Sequence, residues 1–309
     1  MGAAVGLHIG AMFPLYPGNP AAPVVQDPYE LAGYICLEVG WALAALLVGL
    51  RWAPRGGAAL GAGLGAVEIG LVVSDLSSGF QVGEGGDPGV WLALAGLVAG
   101  LAGVLYAAGS LSDSASSAPG PSRRSPVSAS SLARSLLSVL AALTAVATFW
   151  PSWDHYHIVT AAGQVENVNL GDAFSQPPAV MAGELAAGFA IAATVVIAAF
   201  WRDAFVGAFA MIGAVVALAS QVISGAVQAS EPLAQLLGAQ VASGVDLSAS
   251  KISLTGYWYA DIAATFVLAL LALWQLASAR TDRRLLGRAS QPPGPGTWPP
   301  SGWPPATSS

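Results

Sequence analysis

The chain has 309 residues, of which 55% are hydrophobic and only 9% are charged, and its mean hydropathy is +0.64. Soluble domains carry about 25% charged residues, so this composition excludes an ordinary soluble enzyme. A net charge of −6 with a single lysine offers no basic surface for nucleic acid. The single cysteine, Cys36, excludes an intramolecular disulfide. The composition therefore predicts an integral membrane protein whose main partner is the lipid bilayer.

Seven runs are long and apolar enough to cross about 30 Å of hydrocarbon. They are residues 31–50, 58–75, 89–109, 132–150, 178–200, 204–227 and 257–278. We therefore predict an all-α fold, a seven-helix transmembrane bundle that occupies residues 31–279. Residues 280–309 follow as a tail that is first basic and then rich in proline, and this composition predicts disorder.

The basic residues predict the orientation of the bundle. All ten arginines fall on one side of the predicted helices, and only Lys251 falls on the other. Because basic residues are retained in the cytoplasm, this pattern places the N-terminus outside and the C-terminal tail in the cytoplasm.

Residues 1–30 form a predicted extracytoplasmic tail that contains no basic residue. Its first 13 residues are apolar but too short to span a bilayer. Three interpretations remain open for them, namely a segment at the membrane interface, the remnant of a lost helix, and a flap over the outer mouth of the bundle. The interfacial segment is the preferred interpretation.

Two of the predicted outer loops have patterns of their own. In DHYHIVTAAGQVENVNL, residues 154–170, short alternating stretches flank residues 161–164, which is typical of a β-hairpin. Between the last two predicted helices, Ser230, Glu231 and Pro232 favour a helix start. We therefore expect a small extracytoplasmic cap that contains a β-hairpin.

Three stretches of the second half of the chain resemble a known group of proteins. They are FWPSWDHYHIVTAAGQ, NLGDAFSQPPAVMAGE and AAFWRDAFVGAFAMIGAVVALASQVISGAVQ. Across residues 135–278 the chain resembles multi-pass integral membrane proteins of mycobacteria and related actinobacteria, a group with no assigned activity. Where that group has an Arg-Pro pair after the tryptophan of the inner turn, this chain has Arg202 and Asp203. The resemblance implies a multi-pass protein of the bacterial plasma membrane and supplies no mechanism.

Two carboxylates lie deep in predicted helices. Glu38 and Glu68 each lie about eight residues from the outer helix end, which places them about 12 Å below the surface. Two carboxylates in hydrocarbon should not both stay ionised without a partner, so the pair is a candidate proton or cation site. The alternative is that each neutral carboxyl bonds to a neighbour and holds helices together.

Glu184 and Asp261 lie closer to the outer ends of their predicted helices. Carboxylates in the first turns of helices complement the positive end of the helix dipole, which explains them without a function. If the two converge with Glu38 and Glu68, all four would form an outward-facing acidic vestibule that attracts cations.

Asp154, His155 and His157 form a cluster just after the fourth predicted helix. Two imidazoles and a carboxylate are ligands that zinc accepts. In a strand, however, the two histidines share one face and Asp154 lies on the other. Anchoring at the membrane surface is therefore the preferred interpretation, and we predict neither a metal nor a cofactor.

No catalytic or nucleotide-binding motif occurs in a suitable context, so the sequence favours a protein that is not an enzyme. The leading hypothesis is a scaffold or accessory subunit of the cell envelope. Its protein partner would bind through the outer loops or the proline-rich tail. The alternative is a small proton- or cation-coupled transporter that uses the intramembrane carboxylates.

Overall fold

The computed structural model describes residues 1–11, 28–82, 88–115, 129–169, 172–228 and 244–289. The described residues are mostly helical. Its helices are α1 (Gly2–Ala11), α2 (Pro28–Gly49), α3 (Pro54–Val82), α4 (Pro88–Ala115), α5 (Ala129–Phe149), α6 (Pro178–Ala199), α7 (Ala204–Gln228) and α8 (Gly256–Ala289). A short 3-10 turn, Ala173–Ser175, precedes α6.

Six of these helices are long and apolar enough to cross a membrane, namely α2, α3, α5, α6, α7 and α8. The class predicted from composition, a multi-pass membrane protein, is thereby supported. The apolar stretch of α4, Leu94–Ser110, falls among the shorter apolar helices of 10–17 residues. The seventh span therefore stays a prediction.

Several helices differ in length from the predicted runs. Four of them begin at a proline, whose fixed φ suits the first helical position, so α3 begins at Pro54 rather than at residue 58. α3 also continues to Val82, and α8 continues to Ala289. Residues 280–289, predicted as the start of a disordered tail, are therefore helical. Residues 290–309 lie outside the described residues.

The centre of the bundle is α3. In its apolar stretch 72% of the residues are buried, against 28–50% in the other five spanning helices. It packs against α2, α4, α6 and α7. Gly63 allows the contact with α7, because a Cβ atom there would overlap the Ala210 carbonyl. Small side chains let helices approach closely where lipid gives no hydrophobic drive for association.

The predicted N-terminal tail contains a helix. α1 packs against α4 and α2, and Ala4 is fully buried. Met1 lies against Gly103 of α4. A location of α1 at the membrane interface stays a prediction.

A small antiparallel sheet joins the connections α5–α6 and α7–α8. It contains β1 (Asp154–Val159), β2 (Val165–Val168) and β3 (Lys251–Leu254), in the order β2-β1-β3. The pairing of β1 with β2 confirms the predicted hairpin. The sequence did not predict β3, and the helix start expected at Ser230–Pro232 lies outside the described residues.

The sheet marks one end of the bundle, which we call the sheet end. The opposite end contains the turns α2–α3 and α6–α7, the start of α5 and the last part of α8. We call it the arginine end because the arginines of the described ranges lie there, namely Arg51, Arg55, Arg134, Arg202, Arg280, Arg283, Arg284 and Arg288. Lys251, the exception in the sequence pattern, lies in β3 at the sheet end.

Candidate functional site

A buried polar contact joins Trp41 of α2 to Glu68 of α3. Both side chains are buried, and the indole Nε1 of Trp41 donates a 2.8 Å hydrogen bond to Oε2 of Glu68. The ring lies against Gly61 and Gly65 of α3 and Gly100 of α4, where Cβ atoms would come within 2.6–3.4 Å of it. These glycines therefore leave the space that the indole ring occupies. The hydrogen-bond donor to Glu68 is a neutral indole.

Glu38 is also buried, in α2 three residues before Trp41. Residues three apart on a helix lie on the same face, about one turn from each other. Glu38 therefore lies within one turn of the hydrogen bond between Trp41 and Glu68. The structure brings this predicted pair into one region between α2 and α3.

Glu184 lies elsewhere, where α6 crosses α3. Its carboxyl group is hydrogen-bonded to Ser74, a buried residue of α3. Gly183 lies next to it and faces the backbone of Ser74, which brings the two helices close together. Ser74 is six residues beyond Glu68, so Glu184 is about 9 Å further along α3, toward the sheet end.

Asp261 is fully buried where α8 meets α5. Its Oδ1 lies 3.1 Å from the hydroxyl of Thr148. In the described part of the chain, its Oδ2 and the hydroxyl of Thr265, one turn further along α8, are buried and have no hydrogen-bond partner. Buried polar atoms are normally satisfied, so these two oxygens have hydrogen-bonding capacity that suits a bound water or cation.

The four predicted carboxylates thus lie in three different helix contacts, α2 with α3, α3 with α6, and α5 with α8. Three of them have a hydrogen-bonding neighbour that carries no charge, namely Trp41, Ser74 and Thr148. This geometry suits carboxyls that hold helices together. These hydrogen bonds pair Glu68, Glu184 and Asp261 with neighbours in three different helix contacts.

At the sheet end, the two histidines of the predicted cluster lie on one side of the sheet. The register places His155 opposite Ser253 and His157 between Asn167 and Lys251. We call this side the polar face, and its residues are His155, His157, Asn167, Lys251 and Ser253. The Nδ1 atom of His157 lies 2.9 Å from Oδ1 of Asn167, and that of His155 lies 2.7 Å from Oδ1 of Asn169. With Nδ1 donating to the amide oxygen, Nε2 of each ring is an acceptor.

The other side of the sheet is turned toward the bundle. Tyr156 is buried there, and Ile252 and Leu254 are half-buried. Asp154 belongs to this side by strand alternation, and its Oδ1 accepts a hydrogen bond from Ser152. Among the described residues, no three His, Cys, Asp or Glu side chains lie close enough to hold a metal ion.

Three tryptophans donate hydrogen bonds at the sheet end, and one of them, Trp153 next to β1, attaches the sheet connection to α5. The indole of Trp153 donates to the carbonyl of Thr148, that of Trp150 to Glu184, and that of Trp258 to Val222, at 2.8–3.1 Å. The first of these carbonyls belongs to the last turn of α5, where helix carbonyls lack an intrahelical partner. At the other connection, the backbone N–H and hydroxyl of Thr255 donate to the carbonyls of Trp153 and Ser152. The two connections that contain the sheet are therefore bonded to each other and to α5.

A tight turn before β3 completes this end of the molecule. The carboxylate of Asp246 accepts hydrogen bonds from the hydroxyl and backbone N–H of Ser248 and from the N–H of Ala249. The hydrogen bond from the Ser248 hydroxyl, followed by the one from its N–H, lowers the pKa of this exposed carboxyl. The N–H of Asp246 donates to Val159, so the turn is bonded to the end of β1.

Comparisons of the chain with models of protein families, with characterised proteins and with solved structures found no match. The resemblance to actinobacterial membrane proteins therefore stays a prediction.

Proposed function

We propose that this chain is a scaffold or accessory subunit of a bacterial plasma membrane, without catalysis of its own, that binds a protein partner outside the cytoplasm. In this proposal α4 is the seventh span, the arginine end faces the cytoplasm and the sheet end faces outward. The apolar helices and the arginines at one end support this orientation.

The observation that carries the proposal is the fixed polar face of the sheet. Crossing a membrane requires only helices, so a sheet that is bonded to α5 through Trp153 and across its two connections through Thr255 needs another explanation. Its exposed side presents Asn167, Lys251 and Ser253 beside the two histidines. A surface that is already ordered before binding loses less conformational entropy when a partner binds.

The test is extraction of the full chain from its parent membrane into lipid nanodiscs, followed by mass determination of the intact particle. We expect a partner at fixed stoichiometry with the wild-type chain. His155→Ala with His157→Ala should remove that partner, because both rings lie on the polar face. Glu166→Ala is the matched control, since Glu166 is exposed on β2 but on the other side of the sheet. A lone chain in the wild-type particle would contradict the proposal.

A second candidate function is proton- or cation-coupled transport through the intramembrane carboxylates. The unsatisfied oxygens of Asp261 and Thr265 favour it, together with the proximity of Glu38 to Glu68. It predicts proton-linked flux in liposomes that falls in Glu38→Gln, Glu68→Gln and Asp261→Asn. Unchanged flux in all three variants would remove this candidate.

A further inference from the structure

A cleft opens between α3, α4, α6 and α7 at the arginine end of the bundle. Its volume is about 570 Å³, within the range of about 300–1,000 Å³ that is usual for small-molecule sites. The wall on α3 consists of small residues at helical spacing, namely Ala58, Ala59, Ala62, Gly63 and Ala66. The cleft exists because these side chains are too small to fill the space between α4 and α6.

The cleft has the length of one membrane leaflet. It extends along α3 from Arg55 to Ala66, which are eleven residues apart. At about 1.5 Å per residue this is about 16 Å, and half of the hydrocarbon thickness is about 15 Å. A lipid chain that enters from the arginine end would therefore lie along the whole cleft.

The chemistry of the lining changes sharply along this length. The inner part is apolar, because the one hydroxyl there, Thr194, donates to the carbonyl of Ala190 in its own helix. The mouth carries Arg55, which is exposed and is the one charged residue among the lining residues, and the indole of Trp201. Arg55 lies in the first turn of α3, where the helix dipole adds positive potential. The nearby carboxylate of Asp203 accepts hydrogen bonds from the first backbone N–H groups of α7.

We infer that this cleft binds one anionic phospholipid from the leaflet at the arginine end. Its phosphate contacts the guanidinium of Arg55, and an acyl chain lies along the alanine wall of α3. Arginine matches phosphate geometry with paired N–H donors, and tryptophan is favoured at the level of lipid headgroups. This binding site is separate from the polar face of the sheet and does not depend on the proposed docking function.

The test is native mass spectrometry of the full chain in mild detergent with equal amounts of phosphatidylglycerol and phosphatidylcholine. We expect one phosphatidylglycerol to be retained in preference to phosphatidylcholine. Arg55→Gln should lower this retention about tenfold, the loss expected for one charge-assisted hydrogen bond, while Arg55→Lys should keep part of it. Arg280→Gln is the matched control, because it removes a charge at the same end of the bundle but on α8.

A second pair of variants tests the apolar wall. Ala62→Leu places a large side chain in the cleft and should abolish retention of both lipids. Ala193→Leu makes the same change at an exposed position of α6, next to Thr194, and should leave retention unchanged. Thermal unfolding of each variant shows whether the bundle is intact. Equal retention of the two lipids, or retention that Arg55→Gln and Ala62→Leu leave unchanged, would overturn the inference. A lipid-free dimer would also overturn it and assign the cleft to a second copy of the chain.

Discussion

The tryptophans beside the sheet differ from those in the turns of the arginine end. At the sheet end, Trp150, Trp153 and Trp258 are half-buried and each donates a hydrogen bond to a helix carbonyl. At the arginine end, Trp52 and Trp201 are 78% and 52% exposed, and a cleft remains between the helices. The helices at both ends are rich in alanine and glycine. At the sheet end a large side chain with a polar atom fills the space that small residues leave between helices, and at the cleft no such side chain does.

The largest difference in stability should appear when one tryptophan is removed from each end of the bundle. Trp153→Ala loses the hydrogen bond to Thr148, the edge contact with Phe149 and the packing on Gly225. We expect it to lower the free energy of unfolding by about 3–5 kcal/mol. Trp52→Ala should change it by less than about 0.5 kcal/mol, because the ring is exposed. Denaturant titration in micelles measures both, and equal losses would show that the ends do not differ.

Enlarging a side chain at each end should also lower the free energy of unfolding by unequal amounts. A Cβ atom at Gly188 would lie 2.5 Å from Nε1 of Trp150. Gly188→Ala should therefore cost about 1–3 kcal/mol through overpacking. Ala62→Leu extends into the cleft and should cost less than Gly188→Ala in the same unfolding measurement. A larger cost for Ala62→Leu would mean that the cleft is closed in the protein as purified.

The contact between Trp41 and Glu68 lies between the two ends of the bundle. As at the sheet end, an indole N–H donates a hydrogen bond to an oxygen of another helix. Glu68→Gln keeps a carbonyl oxygen for the indole N–H and should have little effect on stability. Glu68→Leu leaves a buried donor without a partner, which costs about 1–3 kcal/mol. Unfolding of the two variants in micelles measures this difference. If both variants lose the same free energy, the charge of Glu68 and not its role as acceptor would be what stabilises the bundle.

The sequence predicted the elements of this fold better than their contacts. The apolar runs and the hairpin follow from local patterns, and the depth of Glu38 and Glu68 follows from helix geometry. The hydrogen-bond donors to the carboxylates could not be predicted from the sequence, because Trp41, Ser74 and Thr148 become partners only when particular helices meet. β3 was missed for the same reason, since four residues at 251–254 pair with a strand almost one hundred residues earlier. The cleft was missed because it arises from alanines that carry no chemical signal.

The smallest expected effect concerns how the two ends respond to acid. The pKa of Asp246 lies below its ordinary value of 3.8 because its ionised carboxylate accepts hydrogen bonds from Ser248. A lowered pKa in the folded chain means that ionised Asp246 stabilises the turn above pH 3.8, and that this contribution disappears as the pH falls through the folded-state pKa. Residues 246–250 should therefore exchange their amide hydrogens faster at that pH. The arginine end should not respond through its arginines, which stay charged throughout.

Ser248→Ala tests the acid response of the turn directly, because it removes the largest cause of the lowered pKa of Asp246. The pKa of Asp246 should then rise toward 3.8, and faster exchange should begin at a higher pH. Ser253→Ala is the control, since Ser253 lies on the polar face of the sheet and not in the turn. Carbon-13 shifts of labelled aspartate carboxyls follow the titration directly. An unchanged pKa in Ser248→Ala would mean that the backbone N–H groups alone hold the carboxylate, and that the turn needs no side chain to stay bonded to β1.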